Sequence, residues 1–208
     1  ALAPAGGEGE GARRQLRAAG YVAVRREGEF AMLGLVQGKD PSTISGVISR
    51  NGLRLRDNGD AEVNREIDDL PFPERDKLWG LTEEEKRGVD VSYICSIRGC
   101  PYRCTYCNSP NQIQLYEEQI DADYFRKRRM DLVYKELKHF KETVGVEYNY
   151  FWADTFLAIS DKEFNEFCDM YSERKLPFWM QTRPETLTDH RVRRLAEVGL
   201  HRISLGIE

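Results

Sequence analysis

The rhythm of apolar and polar positions changes near residue 89. Beyond it, short β-prone runs alternate with stretches of helical period. Val91–Ile94 is apolar and predicts a first strand. Ile120–Thr143 has helical spacing, with Phe125, Leu132, Leu137 and Phe140 suited to one side. Val146–Phe151 predicts an aromatic-rich second strand, and Tyr148, Tyr150 and Trp152 alternate so as to share one face, expected to be core. Ser160 is placed to cap a helix from Asp161 to Arg174, with Glu163 as its capping-box partner. Leu176–Thr182 predicts a third strand. Thr188 then caps a helix through Val198, Gly199 ends it, and Leu200–Ile207 predicts a fourth strand. Repeats of this kind imply right-handed βαβ units and a parallel sheet, an α/β fold.

The preceding residues show no such order. Ala12–Ala19 predicts a short helix stopped by Gly20, Tyr21–Val24 a strand and Phe30–Val36 a helical turn. Ile44–Ser49 and Leu53–Arg56 flank Asn51-Gly52, a hairpin signal. So short an opening could bury little core alone. From about Asn58 to Gly88 the chain reads as a connector. Leu70-Pro71-Phe72-Pro73 excludes helix there, and Thr82–Arg87 is a charged, solvated run. The expected organisation is an opening segment over 1–59, a linker over 60–88 and an α/β segment over 89–208. Closure at a fourth strand predicts a piece of a longer protein, cut at both ends.

Composition narrows the classes. The 208 residues carry 31 Lys and Arg against 35 Asp and Glu, a net charge of −4, with a pI near 5.6. That balance argues against nucleic-acid binding by bulk positive charge. A mean hydropathy of −0.61 and the lack of a long apolar run exclude a membrane span. Ala1–Gly11 has no secretory-signal layout. The five cysteines are Cys95, Cys100, Cys104, Cys107 and Cys168, an odd and clustered set unsuited to a disulfide framework. A reducing, cytoplasmic setting and metal or cluster binding are expected.

Cys100, Cys104 and Cys107 have the spacing CxxxCxxC directly after the first strand. That is a βα loop at the C-terminal end of a parallel sheet, where such folds bind ligands. Three thiolates on one loop can hold three irons of a cubane cluster and leave the fourth open to a small chelating molecule. Zinc is the competing reading, but its sites favour paired CxxC motifs or nearby histidines, and His139 lies well beyond the loop. Cys95, inside the first strand, and Cys168, between Phe164, Phe167 and Tyr171, read as core thiols. His139, His190 and His201 lack ligand spacing and read as surface or core residues.

Ile97-Arg98-Gly99-Cys100-Pro101-Tyr102-Arg103-Cys104-Thr105-Tyr106-Cys107 resembles the signature loop of the radical S-adenosylmethionine (SAM) enzymes. Its wording is most similar to the branch that carries a cobalamin-binding domain ahead of the radical SAM barrel. Phe151–Phe156 resembles that branch's second-strand motif, although Ala153 replaces the first of two adjacent acids and only Asp154 carries over. Thr182–Leu187, Leu195–Gly199 and Ile203–Glu208 resemble its third-strand segment and its fourth helix–strand unit. The likeness is weaker over Arg26–Phe30 and Leu70–Pro73, which look like the end of a cobalamin domain and its junction.

The resemblance implies a partial (β/α) TIM-type barrel, its first four βα units present, preceded by the remnant of a doubly wound cobalamin domain. It implies a [4Fe–4S] cluster on Cys100, Cys104 and Cys107, with SAM chelated at the open iron and cleaved to a 5′-deoxyadenosyl radical. Tyr106 is then placed beside adenine, Asp154 at the SAM ammonium and Arg183 at its carboxylate. Ser204 or Glu208 is placed at the ribose. Packing or surface roles stay open for each, a helix-entry cap for Asp154 among them. The Asp-x-His-x-x-Gly motif that often supplies cobalt with a lower histidine is absent from the sequence. The reading is a cobalamin-dependent methyltransferase acting on an unactivated carbon. A methylthiotransferase, cyclase or oxidase is the alternative among enzymes, and a structural metal or electron-transfer module the alternative outside them. The implied partners are a small-molecule or peptide substrate and an electron donor such as flavodoxin or ferredoxin.

Overall fold

The computed structural model describes residues 22–51, 54–74 and 91–207. The expected helix at Ala12–Ala19, the charged run Thr82–Arg87 and the site residue Glu208 lie outside them. The chain divides into two compact units, at Arg65 and Glu66.

In the first unit, β1 (Val22–Val24), β2 (Val47–Asn51) and β3 (Arg54–Asp57) form an antiparallel sheet in the order β1-β2-β3. Asn51 pairs with Arg54, so it belongs to the strand and not to the hairpin turn. Helix α1 (Glu29–Val36) packs Ala31 and Leu35 against Val47, with Val22, Val24 and Ile44 around them. Gly46 has φ +78°, and a Cβ there would meet Ala61 at 2.3 Å, so only glycine fits the approach.

The second unit holds β4 (Val91–Ile94), β5 (Ile97–Arg98), α2 (Ser109–Leu115), β6 (Arg126–Lys127) and α3 (Met130–Thr143). These are followed by β7 (Tyr148–Phe151), α4 (Asp161–Ser172), β8 (Phe178–Thr182), α5 (Asp189–Glu197) and β9 (Leu200–Leu205). Strands β4, β7, β8 and β9 form a parallel sheet in that order, as the strand–helix alternation predicts. Helix α4 starts where expected. Glu163 donates its N–H to Ser160 Oγ at 3.3 Å, and the Glu163 carboxylate accepts the Ser160 N–H at 2.8 Å. Phe164, Phe167, Cys168 and Tyr171 then fall on one buried face at i, i+3, i+4 and i+7. Thr188 caps α5 by accepting the Arg191 N–H at 3.2 Å, and Gly199 follows with φ +109°. Cys168 is buried as expected, and burial pushes its thiol up to about 11.

Three expectations fail. The helix expected over Ile120–Thr143 begins only at Met130. A π turn over Tyr116–Ile120 ends at Asp121 in the left-handed region, and β6 then pairs antiparallel with β5. Phe125 still packs on the core, but from outside the helix. The second failure is the aromatic stripe. On β7 the helix-facing positions are Asn149 and Phe151, which are buried, while Tyr148 and Tyr150 are half-buried and Trp152 is exposed. Asn149 tolerates the core because its side chain is satisfied: it donates to Tyr171 Oη at 2.8 Å and accepts from Ser92 Oγ. Third, Cys95 follows β4 on the open side and is exposed, not a core thiol. The strand alternation that buries Ile94 turns Cys95 outward.

Candidate functional site

The chain places a loop at the C-terminal end of β4, β7 and β8, and a cavity of about 610 Å³ lies among these loops and the end of β9. That volume is within the range of about 300–1,000 Å³ typical of small-molecule sites. Its wall brings together Cys100, Cys104, Tyr106, Cys107, Asp154, Arg183 and Ser204, which are all the expected site residues in the described part of the chain.

The cysteine loop is shaped by its ends. Gly99 enters it at φ +75°, where a Cβ would come within 2.4 Å of the Tyr124 carbonyl oxygen. It leaves through α2, which opens with Pro110 in its first turn, where the missing N–H costs nothing. Cys100 is buried with its sulfur 3.6 Å from Thr155 Oγ1. Cys107 accepts the Ser109 N–H at 3.4 Å and lies 3.4 Å from Ser109 Oγ. These contacts hold the Cys107 thiol below its ordinary range.

Asp154 lies three positions beyond β7 on an exposed turn. The helix-entry role falls instead to Ser160, and the Asp154 carboxylate makes no hydrogen bond or ion pair with another described residue. The turn behind it is fixed, because Phe156 N–H donates to Gln181 O at 2.9 Å and Leu157 N–H to Thr182 Oγ1 at 3.3 Å. Ala153, in place of the first acid of the resembled motif, is buried in the hydrophobic core. Arg183 follows β8 directly, donating from Nη1 to Cys104 Sγ at 2.7 Å and from Nη2 to Glu185 at 2.7 Å. Its guanidinium also lies 4.7 Å from the Tyr102 ring centre. Ser204, on β9, accepts the Trp179 indole N–H at 2.9 Å. Tyr106 is exposed at the rim.

Sequence reasoning missed Tyr124, Ser109 and Gln181, which also line the cavity. Burial and the charge of Asp154 push the Tyr124 phenol up, so it stays an O–H donor at neutral pH. The stretch holding Tyr124 has a helical pattern, which hid the turn that brings it here. Ser109 had a readable signal, a hydroxyl residue two positions after a candidate ligand at a helix start.

Among the described residues, no three His, Cys, Asp or Glu side chains converge on a point that could hold a single metal ion. A tetrahedral zinc site requires such convergence. A cubane cluster instead takes each thiolate on a different iron, so its three ligands stand apart around one space. Three thiols spread over one cavity wall, one of them paired with a guanidinium, fit that donor set.

Comparisons with known proteins agree with the geometry. The chain is 24% identical over 190 residues to an uncharacterized methyltransferase of Pyrococcus horikoshii, which covers 89% of this chain and 39% of the relative. It is 28% identical over 207 residues to the anaerobic magnesium-protoporphyrin IX monomethyl ester cyclase of Cereibacter sphaeroides, covering 90% of this chain and 31% of that protein. The chain thus spans between about a third and two fifths of the length of these relatives. Residues 94–208 match the family described as the radical SAM superfamily, a stretch that begins at the last residue of β4 and takes in the cysteine loop and β7, β8 and β9. The family implies a [4Fe–4S] cluster and SAM, and by this match over more than half its length the chain belongs to the radical SAM superfamily.

Proposed function

We propose that the full-length protein is a cobalamin-dependent radical SAM methyltransferase acting on an unactivated carbon. The observation that carries this reading is the convergence of three thiols, a free carboxylate, an arginine and a serine hydroxyl on one cavity. Cys100, Cys104 and Cys107 would hold the [4Fe–4S] cluster, which supplies the single electron that cleaves the SAM sulfonium to a 5′-deoxyadenosyl radical. Asp154, which has no hydrogen-bond or ion-pair partner among the described residues, would accept hydrogen bonds from the SAM ammonium. Arg183, held at Cys104 and Glu185 on the same cavity wall, would pair with the SAM carboxylate. Tyr106 packs at adenine, while Ser204 and Glu208 bond the ribose. Tyr124 adds a protonated phenol to the same wall.

In this reading, residues 89–208 are the first four βα units of a partial TIM-type barrel, joined by a linker over 60–88 to a cobalamin-binding domain that ends within 1–59. That domain is doubly wound and parallel, whereas β1, β2 and β3 are antiparallel, so they would form its closing junction. Cobalamin would carry the methyl group. The methyltransferase name of the Pyrococcus relative supports this reading, and the cyclase name of the other supports the alternative of radical chemistry without methyl transfer. A reductant such as flavodoxin or ferredoxin and a cytoplasmic setting follow from the oxygen-sensitive, open cluster.

The test is anaerobic reconstitution with iron and sulfide, then reduction, addition of SAM and detection of 5′-deoxyadenosine by mass spectrometry. Product that disappears in Cys104→Ala supports the reading. Zinc bound in place of a cluster overturns it. Label from methyl-labelled SAM appearing in added cobalamin separates the methyltransferase from the cyclase.

A further inference from the structure

We propose that the face of the parallel sheet opposite its buried core binds a flat, conjugated substrate bearing an acid group, next to the SAM cavity; this deepens the radical SAM reading and rests on it. Strands β4, β7 and β8 place Tyr93, Tyr150 and Trp179 side by side on that face, with Tyr148 of β7 beside them. Tyr93 meets Tyr150 edge-on with ring centres 5.6 Å apart, and Tyr150 lies against Trp179 at 4.5 Å and 31°. They line a hollow of about 290 Å³. The opposite face is covered by helices and filled with Ile94, Phe151 and Met180, all fully buried. Tyr93, by contrast, keeps 46% of its surface exposed, and Tyr93, Tyr150 and Trp179 all lie outside the buried core cluster. A continuous π surface of this kind favours planar ligands over saturated ones of equal size.

Charge and position commit the hollow further. The pairing of β8 with β9 shifts register between Phe178 and Trp179, leaving His201 as an extra residue between Leu200 and Arg202. Such a bulge re-aims side chains. Here His201 and Arg202 both line the hollow. His201 Nδ1 is engaged with Tyr148 Oη at 3.1 Å, whereas Arg202 makes no hydrogen bond or ion pair with another described residue. No acidic residue lines the hollow among the described residues, so its charge complements a carboxylate. The wall also reaches the SAM cavity. Tyr150 Oη donates to Gln181 Oε1 at 3.4 Å and Trp179 Nε1 to Ser204 Oγ at 2.9 Å, and Gln181 and Ser204 are cavity residues. A ligand lying on Tyr150 and Trp179 with its acid at Arg202 therefore presents its other end to the cavity.

The test is equilibrium dialysis of the full-length protein against naphthalene-2-carboxylate, with decalin-2-carboxylate as the saturated probe and naphthalene-2-methanol as the uncharged one. The aromatic acid should bind about tenfold tighter than either control. Arg202→Gln and Trp179→Leu should each weaken it about tenfold, and Arg202→Lys should restore part of the loss. Circular dichroism checks that each variant is folded, and Trp179→Phe, which keeps a ring, should bind nearly as wild type. Equal binding of the aromatic and saturated acids, no binding of either, or binding untouched by Arg202→Gln overturns the proposal. Formation of 5′-deoxyadenosine by the same preparations reports separately on the radical SAM reading, so failure of one leaves the other intact.

Discussion

At the scale of single residues, Asp154 is the sharpest case. An exposed carboxylate with no hydrogen-bond or ion-pair partner among the described residues, on a turn pinned from behind by Gln181 and Thr182, contributes little to folding. Asp154→Asn should leave stability and iron content unchanged, yet raise the KM for SAM about tenfold or more, since a charge-assisted bond to an ammonium is lost. Unchanged KM in 5′-deoxyadenosine assays would remove Asp154 from the SAM site. The cysteines divide in the same way. Ala at Cys100, Cys104 or Cys107 should abolish cluster loading, measured as iron per chain. Cys168→Ala should keep iron and lose about 1 kcal/mol of stability from a small cavity, and Cys95→Ala, at an exposed position, should change neither. These residues were legible in the sequence because their chemistry is local: thiol spacing survives any error in the fold around it. Tyr124 was not, because its place depends on a left-handed Asp121 and a two-stranded pairing that no hydrophobic period records.

At the scale of elements, the helix starts were legible and the faces of strands were not. Ser160 and Glu163 announce α4 because both halves of a capping box lie within four residues. The alternation on β7 states that two faces differ, not which one the helices cover. Tyr148, Tyr150 and Trp152 present more apolar area, but Asn149, with Ser92 and Tyr171 as partners, takes the buried face. The cap also carries a pH dependence. Burial alone would raise the Glu163 carboxyl, but hydrogen bonds from Lys127 and from Ser160 prevail and hold it below the ordinary value. A carboxyl so lowered stabilises the fold fully above its unfolded value of about 4.3, and that contribution is lost as pH falls through the lower folded value. Glu163→Gln should therefore cost about 1 kcal/mol at pH 7 and show a shallower loss of stability below about pH 4 than wild type. Denaturant midpoints for both proteins at pH 7 and pH 3 check this, and parallel losses would sink it. Gly99 sets the entry of the cysteine loop in a similarly local way. Gly99→Ala forces a Cβ against the Tyr124 carbonyl from a left-handed backbone, and should reduce cluster loading while the sheet, read by circular dichroism, persists.

At the scale of the molecule, the cavity exists only if separate βα loops keep their spacing, and one buried side chain links two of them. Arg191, the third residue of α5, sends its guanidinium under both loops. Nη1 donates to Leu157 O at 3.0 Å and Thr186 O at 3.2 Å, and Nη2 donates to Ile159 O at 2.9 Å and Asp161 Oδ1 at 2.7 Å. Leu157 and Ile159 belong to the loop that carries Asp154, and Thr186 to the loop that carries Arg183. The loops that carry the groups assigned to the SAM ammonium and carboxylate are thus joined through a planar fork that lysine cannot reproduce. Arg191→Lys leaves buried carbonyls without donors and should cost about 2–3 kcal/mol. It should also raise the KM for SAM severalfold while iron content holds, because none of the three candidate ligands lies on either loop. Combining Arg191→Lys with Asp154→Asn distinguishes positioning from simple destabilisation. If Arg191 acts by placing Asp154, the double variant binds SAM little worse than Asp154→Asn alone; independent, additive losses would confine Arg191 to holding the fold.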